Sequence, residues 1–156
     1  MSLGAAVAAT RFHWLRLRTT CHATEDPDRV AAALATVLAL EDDEAAAAAV
    51  EGTSLPSQFG GDVLVMEATL TRQREVRAAA AGLLAAFDAA RLLEELQQRV
   101  DDDGVLYLRL DKQEAYLGDL VAGSGDDTIQ VRLKVEVHPA GRERALAAWR
   151  AWLEAA

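Results

Sequence analysis

With 156 residues, 51% of them apolar, the chain has the length of one domain that can bury a real core. A formal net charge of −9 sets it against the basic surfaces that grip nucleic acid, and its single cysteine, Cys21, excludes a disulfide framework or thiolate metal site. No window approaches the roughly 18 uncharged apolar residues of a membrane span.

Met1–Thr10 is too short for a signal peptide and lacks its basic start, so a soluble intracellular protein is expected. Residues 1–11 read as a disordered or vector-derived tail, and residues 12–156 as a single domain. Residues 12–22 alternate. Leu15, Leu17, Thr19 and Cys21 take one face, and Trp14, Arg16, Arg18, Thr20 and His22 the other, as in a half-buried strand. Asp26-Pro27 predicts a helix start, with Asp26 capping and Pro27 at the first helical position. Val30, Leu34, Val37 and Leu38 form that helix's apolar stripe. Residues 41–62 are two-valued. Glu41-Asp42-Asp43-Glu44 reads as a solvated turn and the alanine run 45–49 as helix by propensity, with a short edge strand competing.

Gly60-Gly61-Asp62 turns into a strand at Val63-Leu64-Val65-Met66. From Thr71 a helical stretch runs to Val100, with Asp88 capping its second half. Asp101-Asp102-Asp103-Gly104 is a turn. Val105 to Leu110 is a strand, Leu106, Leu108 and Leu110 facing one way, Tyr107 and Arg109 the other. A Gly-, Ser- and Asp-rich loop spans Gly118 to Asp127. Then Ile129, Val131, Leu133, Val135 and Val137 alternate with Gln130, Arg132, Lys134, Glu136 and His138 until Pro139. Leu146, Trp149 and Leu153 give the last helix a core face. The expected fold is α+β, a single antiparallel sheet with helices packed on one face.

Positive charge is unevenly placed. The strands at 13–22, 105–110 and 128–138 hold five basic residues (Arg16, Arg18, Arg109, Arg132 and Lys134) and one acid, Glu136, whereas the rest holds 11 basic residues and 24 acids. All five have the parity opposite to their strand's apolar face. In a shared sheet they converge on its open surface with Trp14, Tyr107, His22 and His138. Cations that meet phosphates beside rings that stack bases are how several small domains hold RNA. The competing reading is that long cationic chains cover an open sheet and pair with Glu136. Only Lys112 and Lys134 are lysines; Arg-for-Lys usage and abundant alanine suit a high-GC genome, and the acidic balance suits a salty cytoplasm.

Two polar clusters sit at strand ends. His22-Ala23-Thr24-Glu25-Asp26 has the residue types of a proton-transfer or metal group, yet equally those of a helix cap in which His22 bonds across the strand end. No second cluster with ligand spacing accompanies it. Asp111-Lys112-Gln113 either sets Lys112 on a phosphate with Gln113 reading a base edge or 2′-hydroxyl, or caps a short helix reaching Tyr116 with Lys112 solvated. Gly60-Gly61 lacks the lysine and Ser/Thr of a nucleotide loop and precedes a strand. Cys21 is expected to face the core, and Trp149 and Trp152 to pack in or beside it.

His22-Ala23-Thr24-Glu25-Asp26 and Leu110-Asp111-Lys112-Gln113-Glu114-Ala115, in this order, resemble an archaeal family of small RNA-binding proteins predicted to be exosome-associated. An Asp-Gly turn before an Arg-bearing strand and Asp126-Asp127-Thr128-Ile129 opening the last strand extend the likeness over residues 12–153. The chain departs from the family at Ser57-Gln58-Phe59-Gly60-Gly61-Asp62-Val63, where the aromatic and the following Gly remain and the Gly, His, Asn and Pro do not. The resemblance implies a fold like that of a large-subunit ribosomal protein that binds 5S RNA. It also implies a cytoplasmic, noncatalytic protein that takes a structured RNA and works with the exosome or RNA-processing proteins, as monomer or homodimer, without cofactor or metal. The residues expected to meet RNA are Arg16, Arg18, His22, Arg109, Lys112, Gln113, Arg132 and Lys134. The motif residues are His22, Thr24, Glu25, Asp26, Asp111, Lys112 and Gln113. Two other functions stay open: a protein-interaction or dimerisation module using the open sheet face or an edge strand at 128–138, and a hydrolase built on His22, Glu25 and Asp26.

Overall fold

A computed structural model describes residues 10–58 and 60–155. Five strands, β1 (Arg11–Cys21), β2 (Val50–Pro56), β3 (Asp62–Leu70), β4 (Val105–Asp111) and β5 (Thr128–Glu136), form one antiparallel sheet in the order β2-β3-β1-β5-β4. Six helices accompany it among the described residues: α1 (Pro27–Leu38), α2 (Asp43–Ala49), α3 (Gln73–Ala85), α4 (Ala89–Arg99), α5 (Lys112–Tyr116) and α6 (Arg142–Glu154). The fold is the α+β arrangement expected. Alternate residues of β1, β5 and β4 drive it: Leu15, Leu17, Leu110, Ile129, Val131 and Leu133 are almost fully buried. They share one core with Leu34 and Val37 of α1, Val76 and Leu83 of α3, and Leu146 and Trp149 of α6. Each such side chain contributes at most about 1.5–3 kcal/mol by leaving water.

The predicted caps are present. Asp26 Oδ1 accepts from the Asp28 N–H at 2.9 Å, Asp88 Oδ1 from the Ala90 N–H at 3.0 Å and Asp111 Oδ1 from the Glu114 N–H at 2.9 Å. Cys21, Trp149 and Trp152 are buried as expected.

Three features depart from the sequence reading. First, the expected tail over residues 1–11 lies outside the described residues as far as residue 9, but Thr10 is buried and Arg11 opens β1 opposite Glu136. A register shift between Phe12 and Trp14 inverts the alternation there, so Phe12 enters the core. Gln73 satisfies the displaced backbone, its Oε1 accepting from the Phe12 N–H at 2.7 Å and its Nε2 donating to the Phe12 carbonyl at 2.9 Å. Second, the ambiguous segment is helix and then strand: α2 ends at Ala49 and β2 follows at once, exposed from Glu51 to Pro56. Third, β5 is interior, between β1 and β4, and is not an edge available for docking. The outer edge of β4 is itself occupied. The Asp101 N–H reaches the Val105 carbonyl, Arg99 the Tyr107 carbonyl, and the Gly123 N–H the Arg109 carbonyl. Phe59, the aromatic of the departing turn, lies outside the described residues.

Candidate nucleic-acid interface

The strand order makes β1, β5 and β4 neighbours, so their outward side chains form rows. Arg16 stands opposite Arg132, which in turn stands opposite Tyr107. In the next row Arg18, Gln130 and Arg109 are aligned, and on the other side Trp14 faces Lys134. The five cations expected to converge do share the uncovered face.

Among the described residues, none of Arg16, Arg18, Arg109, Arg132 and Lys134 is ion-paired. The arginines lean on aromatic rings: the Arg16 guanidinium lies 4.1 Å from the Trp14 ring centroid and that of Arg132 5.8 Å from Tyr107. Glu136, the one acid of these strands, is engaged elsewhere, 3.3 Å from His138 Nε2 and 3.5 Å from Arg11 Nε. Those partners, His138 first, hold its carboxyl below the usual range. Tyr107 donates its hydroxyl to Asp101 Oδ2 at 3.0 Å, and that bond pushes the phenol up.

The same face changes sign across its width. Glu67 of β3 stands opposite Arg18 on one side and opposite Glu51 of β2 on the other. The surface is basic over β1, β5 and β4 and turns acidic over β3 and β2 at Glu67 and Glu51.

The two polar clusters meet beside the far end of these rows. Lys112 Nζ donates to Glu25 Oε1 at 2.8 Å, to Asp127 Oδ1 at 2.8 Å and to the Thr20 carbonyl at 2.9 Å. It is 2% exposed. Neither a phosphate contact nor a solvated chain describes it, because all three ammonium protons are used inside the protein. Burial alone would lower the Lys112 ammonium, but Asp127 and Glu25 outweigh it and hold it above the ordinary lysine value. In return Asp127 is held low chiefly by Lys112; Glu25, which burial alone would raise, ends below its ordinary value through Lys112 and the His22 N–H.

Around this centre Gln113 Nε2 donates to Asp127 Oδ2 at 3.2 Å, and the His22 N–H to Glu25 Oε1 at 3.1 Å. The His22 ring turns toward Glu25, Nε2 to Oε1 3.8 Å, rather than across the strand end, and remains exposed. His22 and Gln113 are therefore at an accessible rim, and Lys112 lies beneath it. Of the hydrolase trio, Asp26 is taken by the α1 cap and Glu25 by Lys112.

Asp127 is the member that sequence reasoning did not assign. His22, Glu25 and Asp127 each bring one ligand atom within 4.8 Å of the others. A cation there would displace an ammonium already bonded to both carboxylates. The resemblance included Asp126-Asp127-Thr128-Ile129 but gave Asp127 no role, and Lys112–Glu25 joins residues 87 apart in sequence.

A family model described as RNA binding matches residues 14–135. The chain is 39% identical over 147 residues to RNA-binding protein PAB1135 of Pyrococcus abyssi, covering 91% of this chain and 94% of that one. Among solved structures it is similar to protein AF2318 from Archaeglobus fulgidus, with 29% identity, TM-score 0.77 and coverage of 91% and 99%. It is similar too to Mth689, a DUF54 protein from Methanothermobacter thermautotrophicus, with 30% identity, TM-score 0.76 and coverage of 92% and 98%.

Proposed function

Since the chain belongs to the RNA-binding family matched over residues 14–135, we propose that it holds a structured RNA, without catalysis, on the open face of β1, β5 and β4. One observation carries this reading: five cations gather on three adjacent strands, free of carboxylate partners among the described residues, in a chain of net charge −9. Grouped on one face of an acidic protein, unpaired cations make a local positive potential that draws a polyanion. Trp14 and Tyr107 stand in the same rows and offer ring faces to bases. Arg16, Arg18, Arg109, Arg132 and Lys134 meet phosphates, His22 and Gln113 touch the RNA at the rim, and Lys112 positions that rim from below. The acidic border at Glu51 and Glu67 confines the strand to the basic part.

The test is a salt series. Replacing Arg16, Arg18 and Arg132 together with Ala should weaken binding of a structured RNA and lower the slope of log K against log salt by roughly 2 to 3. Circular dichroism should be unchanged. An unaltered slope sinks the reading.

The resemblance noted above motivates a cytoplasmic role in RNA processing with the exosome as partner. A pull-down from native cells with and without ribonuclease checks it; absence of exosome subunits from both counts against that partner and leaves the RNA surface intact.

A further inference from the structure

Beside the sheet face a cleft of about 810 Å³ opens between α4 and the outer edge of β4. Phe87 and Leu92 line its α4 side and Ala122–Ser124 its opposite wall, while Tyr107, Arg109 and Gln130 lie where it meets the sheet. Tyr107, Arg109 and Gln130 are also members of the cation rows, so cleft and face are one continuous surface.

Its chemistry differs from that of the rows. Half-buried Phe87 offers the apolar wall, with Leu92 and Leu108 buried behind it, and three arginines, Arg91, Arg99 and Arg109, outnumber the carboxylates of Asp88 and Glu95. Asp88 is spent on the α4 cap, and Glu95 is shared by Arg91 at 2.9 Å and Arg99 at 2.8 Å. Apolar walls reject a phosphate and accept the flat face of a base, whereas the arginines at the mouth suit the phosphate attached to it. The volume falls within the range of small-ligand sites.

We infer that this cleft is a subsite for unpaired nucleotides of the RNA held on the sheet. The inference rests on the RNA reading above and deepens it. The bases of an A-form duplex are stacked within the helix, its deep groove too narrow to read, so only an unpaired flank, bulge or loop can place a base there. The backbone of that flank leaves the rows at Arg109, and its base passes Tyr107 to reach Phe87.

The experiment compares two RNA probes by fluorescence anisotropy: a blunt hairpin with a minimal loop, and the same hairpin with five unpaired nucleotides at its 3′ end. The wild type should bind the flanked probe about fivefold tighter or more, as one stacked base would give. Ala122→Trp, which fills the cleft from an exposed position, should erase that advantage and leave affinity for the blunt hairpin unchanged. Gln98→Glu, on the exposed side of α4, should reduce the advantage without touching the packing of α4, which Leu92 and Leu96 carry. Equal binding of both probes by the wild type, or an advantage retained in whichever of these variants fold, overturns the subsite. Failure of the wild type to bind either probe overturns the RNA reading itself.

Discussion

Arg16 of β1 stands opposite Arg132 of β5, Cα against Cα near the middle of the sheet, with no carboxylate paired to either among the described residues. Like charges opposed across strands cost a few tenths of a kcal/mol to about 1 kcal/mol. Their rings, Trp14 and Tyr107, return a comparable amount. Arg132→Gln should therefore leave the free energy of unfolding within about 0.5 kcal/mol of wild type, while RNA affinity falls and its salt slope drops by about 1. Urea melts paired with filter binding separate the two effects. A variant that loses stability and keeps its affinity would make Arg132 a structural cover for the sheet.

The acidic border makes a complementary prediction. Glu51 and Glu67 are opposed in the β2–β3 register, and neither is ion-paired among the described residues. Glu51→Thr removes the repulsion and adds a β-branched residue to an edge strand, so it should stabilise by about 0.2–1 kcal/mol. Because the lost charge repelled the polyanion, affinity for RNA should rise, most at low salt. Affinity that stays flat across the salt series would place the bound strand away from β3 and β2.

Lys112 is held by two carboxylates of unequal exposure, Glu25 at 20% and Asp127 at 52% of their side chains. Lys112→Met leaves both facing one another across an apolar stem. Removing one partner of a buried pair costs about 3–5 kcal/mol, and the open side of Asp127 brings the expectation down to about 2–4 kcal/mol at neutral pH. The pH dependence has a definite sign. In the wild type Glu25 and Asp127 are held low, so the stability they contribute is present above ordinary carboxylate values and lost as pH falls through the depressed ones. Lys112 is held high, so its contribution persists to the ordinary lysine range and is lost only above it. Without the ammonium, the paired carboxylates favour a proton, and folding of Lys112→Met gains as pH falls. Denaturation at neutral pH and near pH 4 should show the deficit narrowing. A deficit constant with pH would trace it to packing of the lysine stem alone.

What the sequence disclosed and what it hid divide along sequence separation. The alternations around Arg16, Arg109 and Arg132 are properties of single strands, and so are the caps at Asp26, Asp88 and Asp111; all could be read locally. The break at Phe12 needed knowledge of Gln73, 61 residues away, which satisfies the bulged backbone. The run Ala45–Ala49 has no periodicity, and β2 is exposed at successive positions, so neither period marked the change from helix to strand at Val50. Strand order is wholly non-local, so the placement of β5 inside the sheet had no signature in its own residues. The centre at Lys112 was hidden for the same reason. Its partners Glu25 and Asp127 lie on either side of it in the chain, and the resemblance ran through both stretches without revealing what either touches.

Gly104 ties the β4 turn to α6. Its φ of +82° is left-handed, and a Cβ there would meet that of Ala145 at 2.5 Å. Its carbonyl also accepts the Trp149 indole N–H at 3.1 Å, which satisfies the one polar atom of a fully buried side chain. Gly104→Ala combines backbone strain with overpacking, and should cost about 2–4 kcal/mol. The two causes can be parted with Ala145→Gly, which relieves the contact and leaves the dihedral strained. Alone that change costs about 1 kcal/mol through helix propensity. Combined with Gly104→Ala, it should recover at least about 1 kcal/mol in a double-mutant cycle. Near-ultraviolet circular dichroism, dominated by tryptophan packing, should follow the same order. Strict additivity would mean that the turn moves away from α6 on substitution and that the cost is left-handed strain alone.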